Sequence, residues 1–432
     1  MRGTISIVVF ILAILLASSI PIPFQVTAQS GQDVGQERVL VYIQTSNDKQ
    51  REAITSRSDV SVRFTFDDNW ISAEVPQHVK EILENRSGVL IEDVSIFTID
   101  AKKDCTDENN IGLPQCKPKG GGEEPPPEPE PDPTRVAQPE NQITWGLKKI
   151  YNNDSLDFET VLAANGGAGV NVAVLDTGVF KDHPDLINKV LLCKDFMSGK
   201  RPKNTCVDGH GHGTHVSGSI LADGGSDKLG ILGVAPGANL FAFKVCTDNG
   251  ACFGDSIAAA IKEAEKSGAN IISMSFGGSS LKTVEKNAID DALDKRNDLL
   301  FIAAAGNSGP SSNTIKYPAA YHKVVAVAAV DSGLTVASFS SRGIDDIWEN
   351  EKDRLVEASG PGVDVESTNN DGGYAVKSGT SMATPHISGL AANVWSLANG
   401  DASTVRSWLQ SNSDDISPNG YDRASGFGFP HQ

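Results

Sequence analysis

Short apolar runs and longer periodic segments alternate along most of the chain. Beyond residue 141, strands are expected at 170–176, 240–245, 270–275, 299–304 and 324–330, each an apolar run bounded by turn residues. Helices are expected after His212, at 255–267, at 281–294 and after Ser381. The segment 255–267 is the clearest of these. Ile257, Ile261 and Ala264 share one face, Asp255 is placed to cap the start, and Gly268 follows the end. Apolar strands alternating with helices predict an α/β domain over residues 141–432: a parallel sheet flanked by helices on both faces. Ligands bind such sheets beyond the carboxyl ends of the strands.

Residues 36–100 show a different rhythm. A strand at 39–45 with Val39, Val41 and Ile43 alternating precedes a helix at 48–57. A hairpin joins 60–66 to 70–75 through Asp67-Asp68-Asn69, a helix covers 76–85, and a closing strand covers 89–99. The order β-α-β-β-α-β is that of a small ferredoxin-like α+β unit. Residues 101–140 form a linker. Its stretch 123–133 is almost entirely Pro, Glu and Asp, which is extended and solvated and buries no core. Residues 1–28 read as a signal peptide, with Arg2, an apolar stretch at 5–17 and the small-residue site Val26-Thr27-Ala28. An uncleaved anchor is the alternative, although that apolar stretch is shorter than the ~20 residues a membrane span needs. The expected product is secreted and extracellular.

Charge narrows the partners. The 432-residue chain carries a formal net charge of −18. That argues against nucleic acid and against an anionic membrane surface. No later stretch is long and apolar enough to span a bilayer, so stable membrane insertion is not expected. Six cysteines suit an exported protein. Their spacing suggests the neighbour pairs Cys105–Cys116, Cys193–Cys206 and Cys246–Cys252, with other connectivities open. Asn85-Arg86-Ser87 and Asn153-Asp154-Ser155 match the short glycosylation pattern.

The candidate chemistry lies at the start of the last long helix. In Gly379-Thr380-Ser381-Met382-Ala383-Thr384-Pro385-His386, Ser381 falls at a helix N-terminus, and Pro385 is read in its first turn. Free N–H groups and the helix dipole there favour an anion forming beside a serine hydroxyl. A plain N-cap serine is the simpler reading. A nucleophilic serine needs a base, and the base needs an orienting group. Val172-Ala173-Val174-Leu175-Asp176-Thr177-Gly178 delivers a carboxylate at a strand end, and Asp208-Gly209-His210-Gly211-His212-Gly213-Thr214-His215 feeds histidines into a helix. His210, His212 and His215 also invite a metal-cluster reading, but no His-Glu-x-x-His pattern is present.

These three stretches, in the order Asp, His, Ser, resemble the signatures of the subtilisin-like serine proteases, also called subtilases or peptidase family S8. Ala303-Ala304-Ala305-Gly306-Asn307-Ser308-Gly309 resembles the family's oxyanion-hole segment. The resemblance implies a subtilisin-like fold and a serine endopeptidase acting on protein or peptide substrates. Ser381 is then the nucleophile, His212 the base, Asp176 the orienting acid and Asn307 the oxyanion donor, with no cofactor for catalysis. His215 and His386 are expected to pack rather than to react. Ser275-Phe276-Gly277-Gly278 resembles the segment lining the pocket before the scissile bond, and 247–251 takes the place of the edge strand that pairs with substrate.

The resemblance further implies a structural Ca²⁺. Asp185 stands nine residues after Asp176. The loop 225–231 would add the Asp227 side chain and the carbonyls of Gly225, Leu229 and Ile231. An ordinary acidic turn is the alternative. The unit at 36–100 resembles the family's inhibitory pro-domain, an intramolecular partner of the enzyme, although an unrelated accessory domain has the same pattern. Activation cleavage is then expected in the linker between Lys119 and Gln142, releasing a monomeric enzyme from a zymogen.

Overall fold

The structure, a computed structural model, describes residues 37–99, 135–344, 352–416 and 418–432. The expected signal peptide, most of the linker and the Cys105–Cys116 pair lie outside the described residues.

The N-terminal unit contains β1 (Arg38–Thr45), α1 (Asp48–Thr55), β2 (Ser61–Thr65), β3 (Trp70–Pro76), α2 (Gln77–Glu84) and β4 (Val89–Asp93). Its sheet has the order β2-β3-β1-β4, the split arrangement expected for the ferredoxin-like pattern. Alternation along β1 separates two faces. Val41 and Ile43 pack with Ile71, Val79 and Leu83 under the helices, while Tyr42 joins Phe64, Phe66 and Trp70 against the main body. The expected single closing strand at 89–99 divides. After Asp93 the chain leaves the sheet, and β5 (Ile96–Thr98) pairs with a strand of the main body. Phe97 explains the departure. It is fully buried and packs edge-on against Phe276, with ring centroids 5.7 Å apart.

The main body opens with α3 (Trp145–Ile150) and α4 (Phe158–Ala164), then β6 (Asn171–Asp176), β7 (Val190–Asp195), α5 (His212–Leu221), β8 (Asn239–Lys244), β9 (Ala251–Phe253), α6 (Gly254–Ser267) and β10 (Ile271–Met274). It continues through α7 (Thr283–Lys295), β11 (Leu300–Ala304), β12 (Val325–Val330), β13 (Ala358–Pro361), β14 (Val365–Thr368), β15 (Tyr374–Lys377), α8 (Thr380–Val394) and α9 (Ala402–Ser411). Seven strands form one parallel sheet in the order β13-β12-β11-β10-β6-β8-β7. The period of two sorts its residues. Val172, Val174, Leu240, Ile302 and Val327 face α5 and α8, whereas Ala173, Leu175, Phe243, Phe301 and Ala328 face α6 and α7.

Strand order places the site. From β6 the chain runs out to the edge strand β7, returns through α5 to β8 beside β6, and then crosses through α6 to β10 on the other side of β6. The reversal opens a crevice at the carboxyl ends of β6 and β10, the switch point at which such sheets bind ligands.

One expected cap is different. Phe253 occupies the N-cap position of α6 with no side-chain cap, and Asp255 lies inside the first turn. The Asp255 carboxylate instead accepts from Arg63 Nε at 2.7 Å and Ser72 Oγ at 3.0 Å, both from the N-terminal unit. Gly268 ends α6 in the left-handed region as expected.

Candidate active site

Asp176 ends β6 and His212 begins α5. His212 Nδ1 lies 2.9 and 3.0 Å from the two carboxylate oxygens of Asp176, and both side chains are buried. Nδ1 therefore carries the proton, and Nε2 is the acceptor in the neutral ring. Nε2 is buried and has no hydrogen-bond partner among the described residues. An unpaired buried acceptor is costly in a purely structural role.

The loop before His212 is held by a residue that sequence reasoning quoted but did not single out. Asp208 accepts from the N–H groups of His210, Gly211 and Thr214 at 3.0, 2.8 and 2.9 Å, and from Thr214 Oγ1 at 2.7 Å. It also accepts from Thr177 Oγ1 at 2.8 Å. That hydroxyl has one proton, so the longer 3.2 Å approach to Asp176 is secondary, and Thr177 Oγ1 in turn accepts from Gly213 N at 2.9 Å. The Thr177 N–H donates to Asp176 at 2.7 Å. Asp208 thus ties the strand end bearing Asp176 to the helix start bearing His212. Burial pushes its pKa up, but the hydrogen bonds from Thr214, Gly211 and Thr177 outweigh burial and leave it below the usual carboxylate range. Gly213 lets α5 approach β6 this closely, since a Cβ there would lie 2.1 Å from the Gly178 carbonyl oxygen.

Gly379, not Ser381, is the N-cap residue of α8, and Ser381 is the second residue of the helix. The cap reading of Ser381 therefore fails. Its Oγ donates to the Ser275 carbonyl at 3.0 Å, while Ser275 Oγ donates to the Ser381 carbonyl at 3.0 Å. The second bond has a cause in the sequence. Pro385 lies in the second turn of α8 rather than the first, so it removes the N–H that would bond to the carbonyl four residues earlier. That carbonyl belongs to Ser381, and Ser275 supplies the missing donor. Asn307 follows β11. Its Oδ1 accepts from Thr380 N at 2.9 Å and Thr380 Oγ1 at 3.0 Å, which turns its NH₂ group away from Thr380.

The two expected substrate segments flank a cleft occupied by β5. Thr98 exchanges both backbone hydrogen bonds with Gly277, at 2.9 and 3.0 Å, and Ile99 N donates to the Gly250 carbonyl at 3.1 Å. Gly278 pairs with Tyr317 on the far side. The expected edge strand at 247–251 is shifted. Residues 247–250 make the turn of a hairpin, with Thr247 and Ala251 at its base, and β9 is the paired strand, set antiparallel to β5. Cys246 and Cys252 are joined across this hairpin, and Cys193 is joined to Cys206, as their spacing suggests.

His215 and His386 are held by backbone carbonyls. His215 Nε2 donates to the Val365 and Ala375 carbonyls at 3.1 and 3.0 Å, and burial pushes its pKa well down. His386 Nδ1 donates to the Met382 carbonyl at 2.8 Å, and burial brings its pKa down to about 4. Among the described residues no group of three or more His, Cys, Asp or Glu is arranged to hold a metal ion.

Asp185 and Asp227 do converge, but on a guanidinium. Arg135 donates through Nη2 to Asp185 at 2.8 Å, and through Nε and Nη2 to Asp227 at 2.7 and 2.6 Å. Around them Ile231 N donates to Asp185 and Leu229 N to Asp227, and the Gly225 carbonyl accepts from Lys228 N. With Arg135 so placed, these residues do not fit a Ca²⁺, because the carboxylate oxygens of Asp185 and Asp227 are already taken up by N–H and O–H donors.

Residues 167–428 match the family model described as the subtilase family. The chain belongs to the subtilase family. Subtilisin of Bacillus sp. (strain TA39) is 46% identical over 311 residues, covering 66% of this chain and 71% of that protein. Subtilisin DY of Bacillus licheniformis is 42% identical over 258 residues, covering 59% of this chain and 87% of its own. Among solved structures, Sphericase superposes with a TM-score of 0.63 at 45% identity, covering 68% of this chain and 99% of its own. This subtilase is accordingly a serine endopeptidase with a subtilisin-like fold, and subtilases need no cofactor for catalysis.

Proposed function

We propose that this subtilase is a secreted endopeptidase, made as a self-processing zymogen, that cleaves peptide bonds through Asp176, His212 and Ser381. The observation that carries the reading is His212. Its Nδ1 is clamped by both oxygens of Asp176, and its Nε2 is buried with no hydrogen-bond partner among the described residues.

In this mechanism substrate extends between β9 and Gly277, making the backbone pairs that β5 makes here. Ser381 Oγ turns from the Ser275 carbonyl to attack the substrate carbonyl, and His212 Nε2 takes its proton. Asp176 holds the ring in the Nδ1–H tautomer and stabilises the imidazolium. The negative oxygen is met by the Asn307 NH₂ and the Ser381 N–H, which as the second helical residue has no intrahelical acceptor. His212 then returns the proton to the leaving amine. Water repeats the sequence on the acyl-enzyme and frees Ser381.

The β5 pairing supports reading residues 36–100 as an inhibitory pro-domain, because it fills the groove a substrate needs. Thr98 opposes Gly277, and Ser275, two residues nearer α8, is bonded to Ser381 in both directions. The chain is thus heading toward the nucleophile as it reaches Ile99. A first cut is expected within a few residues after Ile99, with later trimming in the linker before Gln142.

Intact mass spectrometry over time, on oxidised protein beside a Ser381→Ala control, tests this reading. Wild type is expected to shed the N-terminal unit by a cut just beyond Ile99, while the control stays whole. A Ser381→Ala protein that processes itself or cleaves peptides would sink the assignment. Asn307→Ala is expected to lower kcat about 10²–10³-fold with little change in KM, the size of one oxyanion donor.

A further inference from the structure

The Arg135 pocket differs from a metal site in kind. The Arg135 side chain is 1% exposed, Asp185 0% and Asp227 3%. Guanidinium and Asp227 meet in a two-pronged fork through Nε and Nη2, the arrangement in which arginine binds carboxylate best. Nη2 also reaches Asp185 at 2.8 Å and the Gly224 carbonyl at 3.1 Å. Nη1 donates to the Tyr374 hydroxyl, which passes its own proton to the second oxygen of Asp185 at 2.7 Å. Every N–H-bearing nitrogen of the guanidinium has an acceptor. Gly230 keeps the loop tight, since a Cβ there would lie 1.9 Å from an Asp185 oxygen.

Arg135 also begins a strap. Glu140 N and Asn141 N donate to Glu366 at 2.7 and 3.1 Å. Gln142 Nε2 donates to the Lys228 and Gly230 carbonyls at 2.6 and 3.1 Å, and its own carbonyl accepts from Leu232 N at 3.0 Å. Residues 135–142 therefore lie along the loop 224–231, tied at Arg135 and again at Gln142.

We propose that the pocket of Asp185 and Asp227 is an arginine site in the precursor: the guanidinium of Arg135 is its resident cation, and a divalent metal enters only once Arg135 is gone. Chemistry favours the exclusion. A buried carboxylate pair needs a cation. Arginine supplies one that is always charged, has directed donors and is carried by the chain itself. A calcium ion would need the same carboxylate oxygens at 2.3–2.6 Å.

The test counts bound calcium by isothermal titration on full-length chains carrying Ser381→Ala, stripped with chelator, so that the outcome does not depend on catalysis. Four further variants are compared with this parent: Asp227→Asn, Arg135→Gln, Arg135→Gln with Asp227→Asn, and Arg135→Lys as a control that retains a cation. Arg135→Gln is expected to bind one more ion per chain than the parent and to lose it again with Asp227→Asn. Parent, Asp227→Asn and Arg135→Lys are expected to bind equal numbers. In chelator, Arg135→Gln is expected to melt roughly 5–10 °C below the parent, because a carboxylate pair is left unpaired, and to recover with calcium. The proposal is overturned if Asp227→Asn alone costs the parent an ion, or if Arg135→Gln gains none.

Discussion

Asp208 shows how much of the proposed catalytic geometry rests on a residue outside the proposed triad. Its two oxygens accept from five donors on the strand end and helix start that carry Asp176 and His212. Asp208→Asn keeps the shape but turns an NH₂ toward the Thr214 N–H in place of an acceptor. Because the loop carrying His212 is then held by fewer bonds, kcat is expected to fall about 10–100-fold, while KM stays within about twofold. Steady-state kinetics on a peptide substrate, beside a melting curve showing that the variant is folded, checks this. An unchanged kcat would make Asp208 a loop anchor without consequence for His212. The spacing Asp-x-x-x-His was visible in the chain, but the donors that select Asp208 come from Thr177 on another element.

Among the elements, the β9 hairpin is the one whose role depends on a covalent tie. Its strand is three residues long and carries the pairing with β5 that substrate is proposed to replace. Cys246 and Cys252 close the hairpin at its base. Replacing both by serine frees a short loop in the unfolded chain, which the loop-entropy account values at about 2 kcal/mol. The double variant is expected to melt lower by roughly 4–8 °C. It is also expected to show a several-fold higher KM at nearly unchanged kcat, since a fraying edge weakens binding before chemistry. Equal KM values for the two proteins would show that the hairpin holds its shape without the bridge.

At the scale of the whole molecule, the N-terminal unit is docked by polar groups as well as by its aromatic face. Arg63 reaches Asp255 at the start of α6, Glu92 accepts from Thr283 Oγ1 at the start of α7, and Tyr42 donates to Glu285 at 3.1 Å. Glu285 is fully buried, and burial raises its pKa from 4.5 to about 7. A carboxyl whose pKa is raised on docking favours the docked state while it is protonated. That contribution is complete below pH 4.5 and is lost as pH rises through about 7, amounting to up to about 3 kcal/mol. Affinity between a separately made N-terminal unit and the Ser381→Ala main body is therefore expected to weaken as pH rises from 4.5 to 7, then to level. Glu285→Gln should flatten this slope. A slope that is the same in both proteins would assign it to other groups.

Periodicity and local chemistry carry the part of this protein that its chain spells out directly. The apolar strands at 170–176 and 299–304, the helix ended by Gly268, and the stretches carrying Asp176, His212, Ser381 and Asn307 were all legible there. These features depend on neighbours within a few positions: side-chain alternation, turn residues and motif spacing. Tertiary structure decided which distant groups meet. Asp255 looked like a helix cap until Arg63 and Ser72 claimed its carboxylate, and residues 89–99 looked like one strand until Phe97 found Phe276. Asp185 and Asp227 were expected as metal ligands on the family resemblance alone. Arg135, in a segment that composition assigns to the linker, provides the cation that faces them. A buried charge is satisfied by whatever the fold brings within about 3 Å, and no local pattern in the chain records that choice.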